Sequence, residues 1–122
     1  MVGLTELAST DPAATRRFLE KVFDWNFENL RMPQGEYFAH SSTHGSGVGI
    51  RSTRTNEAPA SVNYILVSDL AEAERKVRNT GGEIVLPRTD IPGMGSFFWF
   101  KAPGGPVMAC WQDSAQPAEA RR

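Results

Sequence analysis

The stretch SVNYILVSDLAEAERKVRNTGG, residues 61–82, contains a strand pattern followed directly by a helix pattern. Its first seven residues are mostly aliphatic or aromatic, which is typical of a strand. Apolar residues then recur at helical spacing from Leu70 to Val77. Asp69 is a suitable N-cap for this helix, and the glycine pair at 81–82 is a suitable end. The stretch therefore predicts a strand that leads into an amphipathic helix.

The same order of patterns occurs once more, in the first half of the chain. A short strand pattern at 4–8 precedes Thr10 and Asp11, either of which could cap a helix. Pro12 fits the first turn of that helix because its missing N–H has no intrahelical partner there. The spacing from Asp11 to Asp69 equals the spacing from Gly47 to Gly105. The chain is therefore predicted to contain two similar modules.

Three strand patterns follow each predicted helix. They lie at 25–30, 36–41 and 48–52 in the first module and at 83–86, 96–101 and 107–112 in the second. The apolar face of the first helix consists of Phe18, Leu19, Val22 and Phe23, and we expect it to pack against a sheet. The predicted fold is α+β, with two βαβββ modules at 2–52 and 61–112 in one domain, a polar connector between them, and a flexible tail at 113–122.

The composition excludes several classes of partner. A length of 122 residues suits a single domain, and 13 basic against 14 acidic residues give a formal net charge of -1. Such a balance supplies no electrostatic field for nucleic acid or for an anionic membrane. No stretch is long and apolar enough for a membrane span, so a cytoplasmic protein is predicted.

Several short motifs resemble those of one family. The first module has DP at 11–12 and FLEKVFDW at 18–25, and the second has VSDL at 67–70, GG at 81–82, IPG at 91–93 and PGG at 103–105. In order and spacing they resemble the glyoxalase/bleomycin resistance/dioxygenase proteins, the vicinal oxygen chelate superfamily. The resemblance covers residues 2–112. It implies paired βαβββ modules, each forming half of a cup, a ligand and often a divalent metal inside, and a homodimer.

The resemblance also implies where metal ligands would lie, namely at the first and last strands of each module. Spacing from the helix caps and glycines assigns these positions to Leu4, Arg51, Val62 and Ala109. Aliphatic side chains offer no lone pair, and a guanidinium is a cation without an acceptor. We therefore predict no metal at the superfamily site and no other cofactor.

Glu6 is the acid of greatest interest, since it lies two residues beyond Leu4 and shares its strand face. It could orient a ligand or accept a proton, or it could be paired with a nearby arginine, and both interpretations stay open. His40 and His44 lie in a strand and turn segment, where a role without any ligand is favoured.

Strand alternation predicts a concave face lined by aromatic side chains. Tyr64, Phe97, Trp99 and Trp111 are expected there, with Glu6 and Arg51 as polar groups, while Phe98, Phe100, Met108 and Cys110 would pack under the helices. Such a face suits a planar or amphipathic organic ligand.

Three functions are compatible with these patterns. The first hypothesis is a metal-free, dimeric protein that binds a small organic molecule. The alternative is a glyoxalase-like lyase or isomerase, or a dioxygenase-like enzyme, with Glu6 as the best catalytic candidate and a metal held by non-standard ligands such as Glu6 and His40. A third hypothesis is an interaction module whose aromatic face is covered by a partner chain. Fold resemblance alone does not choose between them.

Overall fold

The structure is a computed structural model, and it describes residues 2–32, 35–41 and 47–114. The first module contains β1 (Val2–Ser9), α1 (Pro12–Phe23), β2 (Glu28–Met32), β3 (Gly35–Ser41) and β4 (Gly47–Ser52). The second contains β5 (Ala60–Leu66), α2 (Leu70–Asn79), β6 (Glu83–Ile91), β7 (Gly95–Lys101) and β8 (Val107–Asp113). Residue contacts divide the chain into two compact units, with the boundary between Asn63 and Tyr64 in β5.

Both modules have the same strand topology. In the first, the order is β2-β3-β4-β1, with β1 parallel to β4 and the other pairs antiparallel. In the second, the order is β6-β7-β8-β5, with β5 parallel to β8 and the other pairs antiparallel. The prediction of an α+β fold with two βαβββ modules is confirmed. That the modules form one domain stays a prediction.

Aspartates cap both helices: of the two candidates for the first helix, Asp11 and not Thr10 is the cap, and Asp69 caps the second as predicted. The Asp11 side chain accepts a hydrogen bond from the Ala14 N–H at 3.1 Å, and the Asp69 side chain accepts one from the Glu72 N–H at 3.1 Å. Each carboxylate therefore satisfies one of the N–H groups that a helix leaves without an intrahelical partner.

Each module has its own apolar core between its helix and its sheet. In the first, Phe27, Phe38 and Ile50 are buried, with Leu7 and Leu19 packed against them. In the second, Leu70, Phe98 and Cys110 are buried, with Phe100 among the side chains around them. The prediction that Phe98, Phe100 and Cys110 pack under the helix is confirmed. Burial raises the pKa of the Cys110 thiol.

The predicted apolar face of α1 is largely wrong. Leu19 packs against the core, but Phe18, Val22 and Phe23 are each more than half exposed. The core is covered instead by Arg16, one turn before Leu19, whose guanidinium lies 4.7 Å from the centre of the Phe38 ring.

Two predicted strand boundaries also differ from the structure. The first predicted strand after α1 begins later, at Glu28, because residues 25–27 connect α1 to β2 and place Phe27 in the core. β6 continues through Pro87, where a loop was predicted, to Ile91. β6 is the last strand of the sheet, so a proline there interrupts no ladder hydrogen bond on its outer side. His44 and residues 115–122 of the predicted tail lie outside the described residues.

Candidate functional site

Strand alternation in the first module places a polar set of side chains on the face of the sheet opposite α1. Leu7, Phe38 and Ile50 belong to the core under the helix. Their strand neighbours Glu6, Tyr37 and Arg51 therefore lie on the other face. The structure brings these three together with Glu57 from the connector, and we call the four side chains the ion network.

Glu6 and Arg51 form the centre of the ion network. The Arg51 Nε donates to Glu6 Oε1 at 2.9 Å, and the Tyr37 hydroxyl donates to Glu6 Oε2 at 3.0 Å. Glu6 is buried, with 8% of its surface exposed. A buried carboxylate needs compensation by hydrogen bonds or an opposite charge, and Glu6 has both. Of the two interpretations left open by the sequence, the structure contains the arginine pair.

Tyr37 reaches Glu6 across a glycine. Gly49 of β4 is the register partner of both Ala39 in β3 and Glu6 in β1. A Cβ atom added at Gly49 would overlap the hydroxyl end of Tyr37. The absence of a side chain at this one position is therefore what lets the phenol cross β4.

Glu57 binds the outer end of the Arg51 guanidinium. Arg51 Nη1 donates to Glu57 Oε1 and Arg51 Nη2 donates to Glu57 Oε2, both at 2.8 Å. These hydrogen bonds lower the pKa of Glu57 to about 2 and, with those of Glu6, raise the pKa of Arg51 above its ordinary value. Both groups stay charged across the physiological range, so the Arg51–Glu57 ion pair persists there.

The second module has an aromatic cluster at the corresponding face of its sheet. It consists of Tyr64, Phe97, Trp99 and Trp111. The Trp111 and Phe97 rings are stacked, with centroids 6.0 Å apart and planes at 14°, and Tyr64 meets Phe97 edge to face at 5.9 Å. Tyr64 and Phe97 are buried, whereas Trp99 and Trp111 are partly exposed. The structure thus brings together the four aromatic residues that the sequence predicted as ligand contacts.

Polar atoms hold both indoles of the aromatic cluster. Trp99 Nε1 donates to the Tyr64 hydroxyl at 2.9 Å, and Trp111 Nε1 donates to Asp113 Oδ1 at 2.7 Å. Ala109 is the register partner of both Trp99 and Tyr64. Its small side chain leaves room for the Trp99 indole to reach Tyr64 across β8. The two ring orientations are therefore fixed before any ligand binds.

The register of the parallel strands corrects one predicted equivalence. Glu6 faces Gly49 in the first module, and Tyr64 faces Ala109 in the second. The last strands are therefore shifted by two positions from the correspondence that the helix caps and turn glycines indicate. As a result, Gly49 corresponds to Ala109, and Arg51 corresponds to Trp111.

The superfamily metal positions do not fit a metal ion under either correspondence. With the corrected register they are Leu4, Gly49, Val62 and Ala109, which carry no oxygen, nitrogen or sulfur in their side chains. In residues 2–32, 35–41 and 47–114, no three His, Cys, Asp or Glu side chains gather as a metal site.

His40 cannot assist Glu6 in holding an ion. Its ring stacks on Trp25 at 5.2 Å and its Nδ1 lies 2.9 Å from the Asn26 carbonyl oxygen. His40 shares the helix side of the sheet with Phe38, its alternation partner on β3, whereas Glu6 lies on the opposite face. The alternative metal pair of Glu6 and His40 is therefore wrong on geometric grounds.

A surface groove at the start of α2 is separate from both clusters. It is lined by Leu66, Val67, Ser68, Asp69, Glu72, Ala73 and Lys76. It contains no aromatic ring, and Asp69 in it is already used as the helix cap. We assign it no ligand.

Four residues of these sites were missed in the sequence. One is Asp113, which was predicted to lie in the flexible tail but ends β8 and binds Trp111. Alternation could have identified Tyr37, which shares a strand face with Ala39. Gly49 could have been identified because a glycine in a strand often marks the close approach of another group. Glu57 had no such signal, since a polar connector without periodicity has no predictable position.

Comparisons with known proteins agree with the fold. No family model matches the chain. It is 26% identical over 113 residues to proteins named "Putative glyoxylase CFP32" in Mycobacterium bovis and Mycobacterium tuberculosis. That match covers 88% of this chain and 43% of the relative, so the chain spans less than half the length of these curated relatives.

Solved structures share the fold at low sequence identity. A methylmalonyl-CoA epimerase from Mycobacterium tuberculosis aligns with a TM-score of 0.75 and 10% identity, over 97% of this chain and 91% of that one. A glyoxalase/bleomycin resistance protein/dioxygenase superfamily member from Vibrio splendidus aligns with a TM-score of 0.64 and 16% identity, over 90% and 96%. With its two βαβββ modules, its motifs and these relatives, the chain has the fold of the glyoxalase/bleomycin resistance/dioxygenase, or vicinal oxygen chelate, superfamily and is similar to its members.

Proposed function

We propose that this protein binds a small aromatic or amphipathic molecule on its aromatic cluster, and does so without a metal ion. The observation that carries the proposal is the pair of indoles held in fixed orientations by Tyr64 and Asp113. Rigid rings lose little conformational entropy on binding, and partly exposed π faces gain from stacking on a planar ligand. Both features favour an aromatic ligand.

The metal-free part of the proposal is supported by the chemistry of the four superfamily positions. Leu4, Gly49, Val62 and Ala109 supply no donor atom to a divalent ion. That Glu6 and Arg51 contact a ligand as polar groups stays a prediction, and it concerns the ion network of the first module. Both Glu6 carboxylate oxygens already accept hydrogen bonds, so no reaction step is proposed for this residue and its catalytic role stays a prediction.

The predicted homodimer and the cytoplasmic location also remain parts of this proposal. No helix in the described ranges has the length and apolar character needed to cross a membrane. Light scattering at several protein concentrations would measure the oligomeric state, and a mass that stays at 13.4 kDa would contradict the dimer.

Titration with N-phenyl-1-naphthylamine, a neutral amphipathic aromatic probe, tests ligand binding. We expect a saturable change in fluorescence and a rise in melting temperature, because a ligand that binds the folded state stabilises it. W111A should weaken binding about tenfold, since one aromatic contact contributes about 1–1.5 kcal/mol.

W25F is the matched control, because Trp25 stacks on Phe23 and His40 in the first module, outside the aromatic cluster. It should bind the probe as the wild type does. Equal weakening by W25F and W111A, or the lack of saturation, would contradict the proposed site. Loss of binding after chelator treatment would contradict its metal-free nature.

A further inference from the structure

The carboxylate of Glu57 is surrounded by donors as a bound ligand would be. Its Oε2 accepts from Arg51 Nη2 at 2.8 Å, and its Oε1 accepts from Arg51 Nη1 at 2.8 Å and from the Arg54 backbone N–H at 2.7 Å. The Arg54 Nη1 lies 3.9 Å from the same Oε1. Two parallel bonds from one guanidinium match the shape of a carboxylate and add specificity to charge.

The guanidinium is anchored to the strands, and the connector supplies the carboxylate at its outer end. Arg51 Nη1 also donates to the Ser52 carbonyl oxygen at the end of β4 at 3.0 Å. Glu6 on β1 accepts a hydrogen bond from Arg51 Nε, which sets the direction of the two Nη groups of the guanidinium. Glu57 belongs to the connector 53–59, which has no helix or strand. The Glu57 side chain is 21% exposed and that of Arg51 is 12% exposed. Glu57 can therefore move into solvent without disturbing a strand.

We propose that Arg51 and Arg54 form a binding site for a small carboxylate, and that Glu57 occupies this site as an internal ligand. A molecule with a carboxylate group displaces the Glu57 side chain and takes the same donors. This proposal goes beyond the aromatic ligand site and does not depend on it.

The charges balance in such an exchange. Glu6 and Arg51 form a neutral pair beneath the site, and the entering carboxylate carries the same single negative charge as the one that leaves. The exchanged Glu57 regains full hydration in the solvent. The cost of the exchange is set chiefly by the tether, because a side chain on a short connector competes at an effective concentration in the millimolar range.

Titration with sodium acetate, followed by the amide resonance of Arg54, tests this site. Ionic strength is held constant by replacing sodium chloride, so a general salt effect cancels. In E57A, where the internal ligand is absent, we expect a saturable shift of the Arg54 amide with a Kd at least tenfold lower than in the wild type. E57Q keeps the side-chain length without the charge and should also bind acetate more tightly than the wild type.

Two controls make the result specific. E74A removes a glutamate that pairs with Arg78 on α2 and should leave the acetate response unchanged. R51K/E57A keeps the positive charge beside Glu6 but loses the two parallel Nη donors of the guanidinium. It should bind acetate at least fivefold more weakly than E57A. A shift that stays linear in both E57A and E57Q, or that is equal in E57A and R51K/E57A, would overturn the proposal. Acetate has no ring, so its titration tests the carboxylate site separately from the binding of the aromatic probe to the aromatic cluster.

Discussion

The two modules use the same arrangement of strands to hold different chemistry. In the first, Tyr37 passes over Gly49 and donates to Glu6. In the second, Trp99 passes over Ala109 and donates to Tyr64, which is the counterpart of Glu6 on the first strand. In both, a small residue on the last strand lets an aromatic donor reach the first strand. The fold therefore preserves the crossing, whereas the group at its end differs: a carboxylate in the first module and a phenol in the second.

The exchange of that one group changes what each module needs for stability. A carboxylate at Glu6 is buried and requires a cation, which Arg51 supplies, and Arg51 in turn binds Glu57. A phenol at Tyr64 requires only a hydrogen bond and allows rings to fill the rest of the face. The first module is therefore stabilised by charge pairing on this face, and the second by ring packing.

Removal of Arg51 should have the largest effect on the first module. R51M leaves two carboxylates without their guanidinium, and one of them, Glu6, is buried. We expect the free energy of unfolding to fall by about 3 kcal/mol, because breaking a buried ion pair from one side leaves an uncompensated charge. Urea denaturation at pH 7 measures this change.

R78M is the matched control for R51M. Arg78 pairs with Glu74 on the exposed surface of α2, at side-chain exposures of 58% and 28%. Exposed pairs contribute about 0–1 kcal/mol, so R78M should have little effect. Equal costs for the two variants would show that the ion network contributes no more than a surface pair.

Acid should weaken the ion network but not the aromatic cluster. The pKa of Glu57 is lowered to about 2 by its hydrogen bonds from Arg51, so its contribution to stability is complete above the unfolded pKa of about 4.3 and is lost as pH falls toward 2. E57Q should be less stable than the wild type by about 1–2 kcal/mol at pH 7, a value reduced for solvent screening.

The difference between E57Q and the wild type should shrink between pH 4.5 and pH 2. Chemical denaturation at a series of pH values measures this difference. W111F provides the comparison, because the stacking of Trp111 on Phe97 involves no charged group, so its cost should be the same at pH 7 and at pH 4.5. A constant cost for E57Q down to pH 2 would contradict the role of the Glu57 charge.

Much of the fold could be predicted from local signals in the sequence. Asp11 and Asp69 mark the helix starts, because a capping side chain acts within three residues of its own position. Alternation placed Phe98 and Cys110 under α2 and placed Trp99 on the opposite side, because strand geometry has a strict period of two.

The features that could not be predicted depend on contacts between distant segments. The correspondence of Gly49 with Ala109 follows from strand pairing, which the helix caps do not determine. The position of Glu57 depends on Arg51 in three dimensions, since its connector has no periodic pattern. The exposure of Phe18 follows from Arg16 covering Phe38, an interaction that hydrophobicity alone does not indicate.

Removal of one hydroxyl at each crossing gives the finest test of the difference between the modules: the Tyr37 hydroxyl is the donor in the first, and the Tyr64 hydroxyl is the acceptor in the second. Y37F takes a donor from a buried carboxylate, and hydrogen bonds to charged groups contribute about 1.5–3 kcal/mol, so a cost of about 2 kcal/mol is expected. Y64F takes an acceptor from the neutral Trp99 indole, which is partly exposed and can donate to water, so a cost of about 1 kcal/mol is expected.

The difference between the two tyrosines should depend on the charge of Glu6. In an E6Q background the acceptor of Tyr37 is neutral, so the cost of Y37F should fall to about 1 kcal/mol, while the cost of Y64F should stay the same. Double-mutant cycles at pH 7, measured by urea denaturation, give both values. If Y37F lowers the free energy of unfolding by as much with E6Q as with Glu6, then the two crossings are energetically alike. The distinction between a charge-stabilised module and a ring-stabilised one would then fail at the contact where the two modules are most directly comparable.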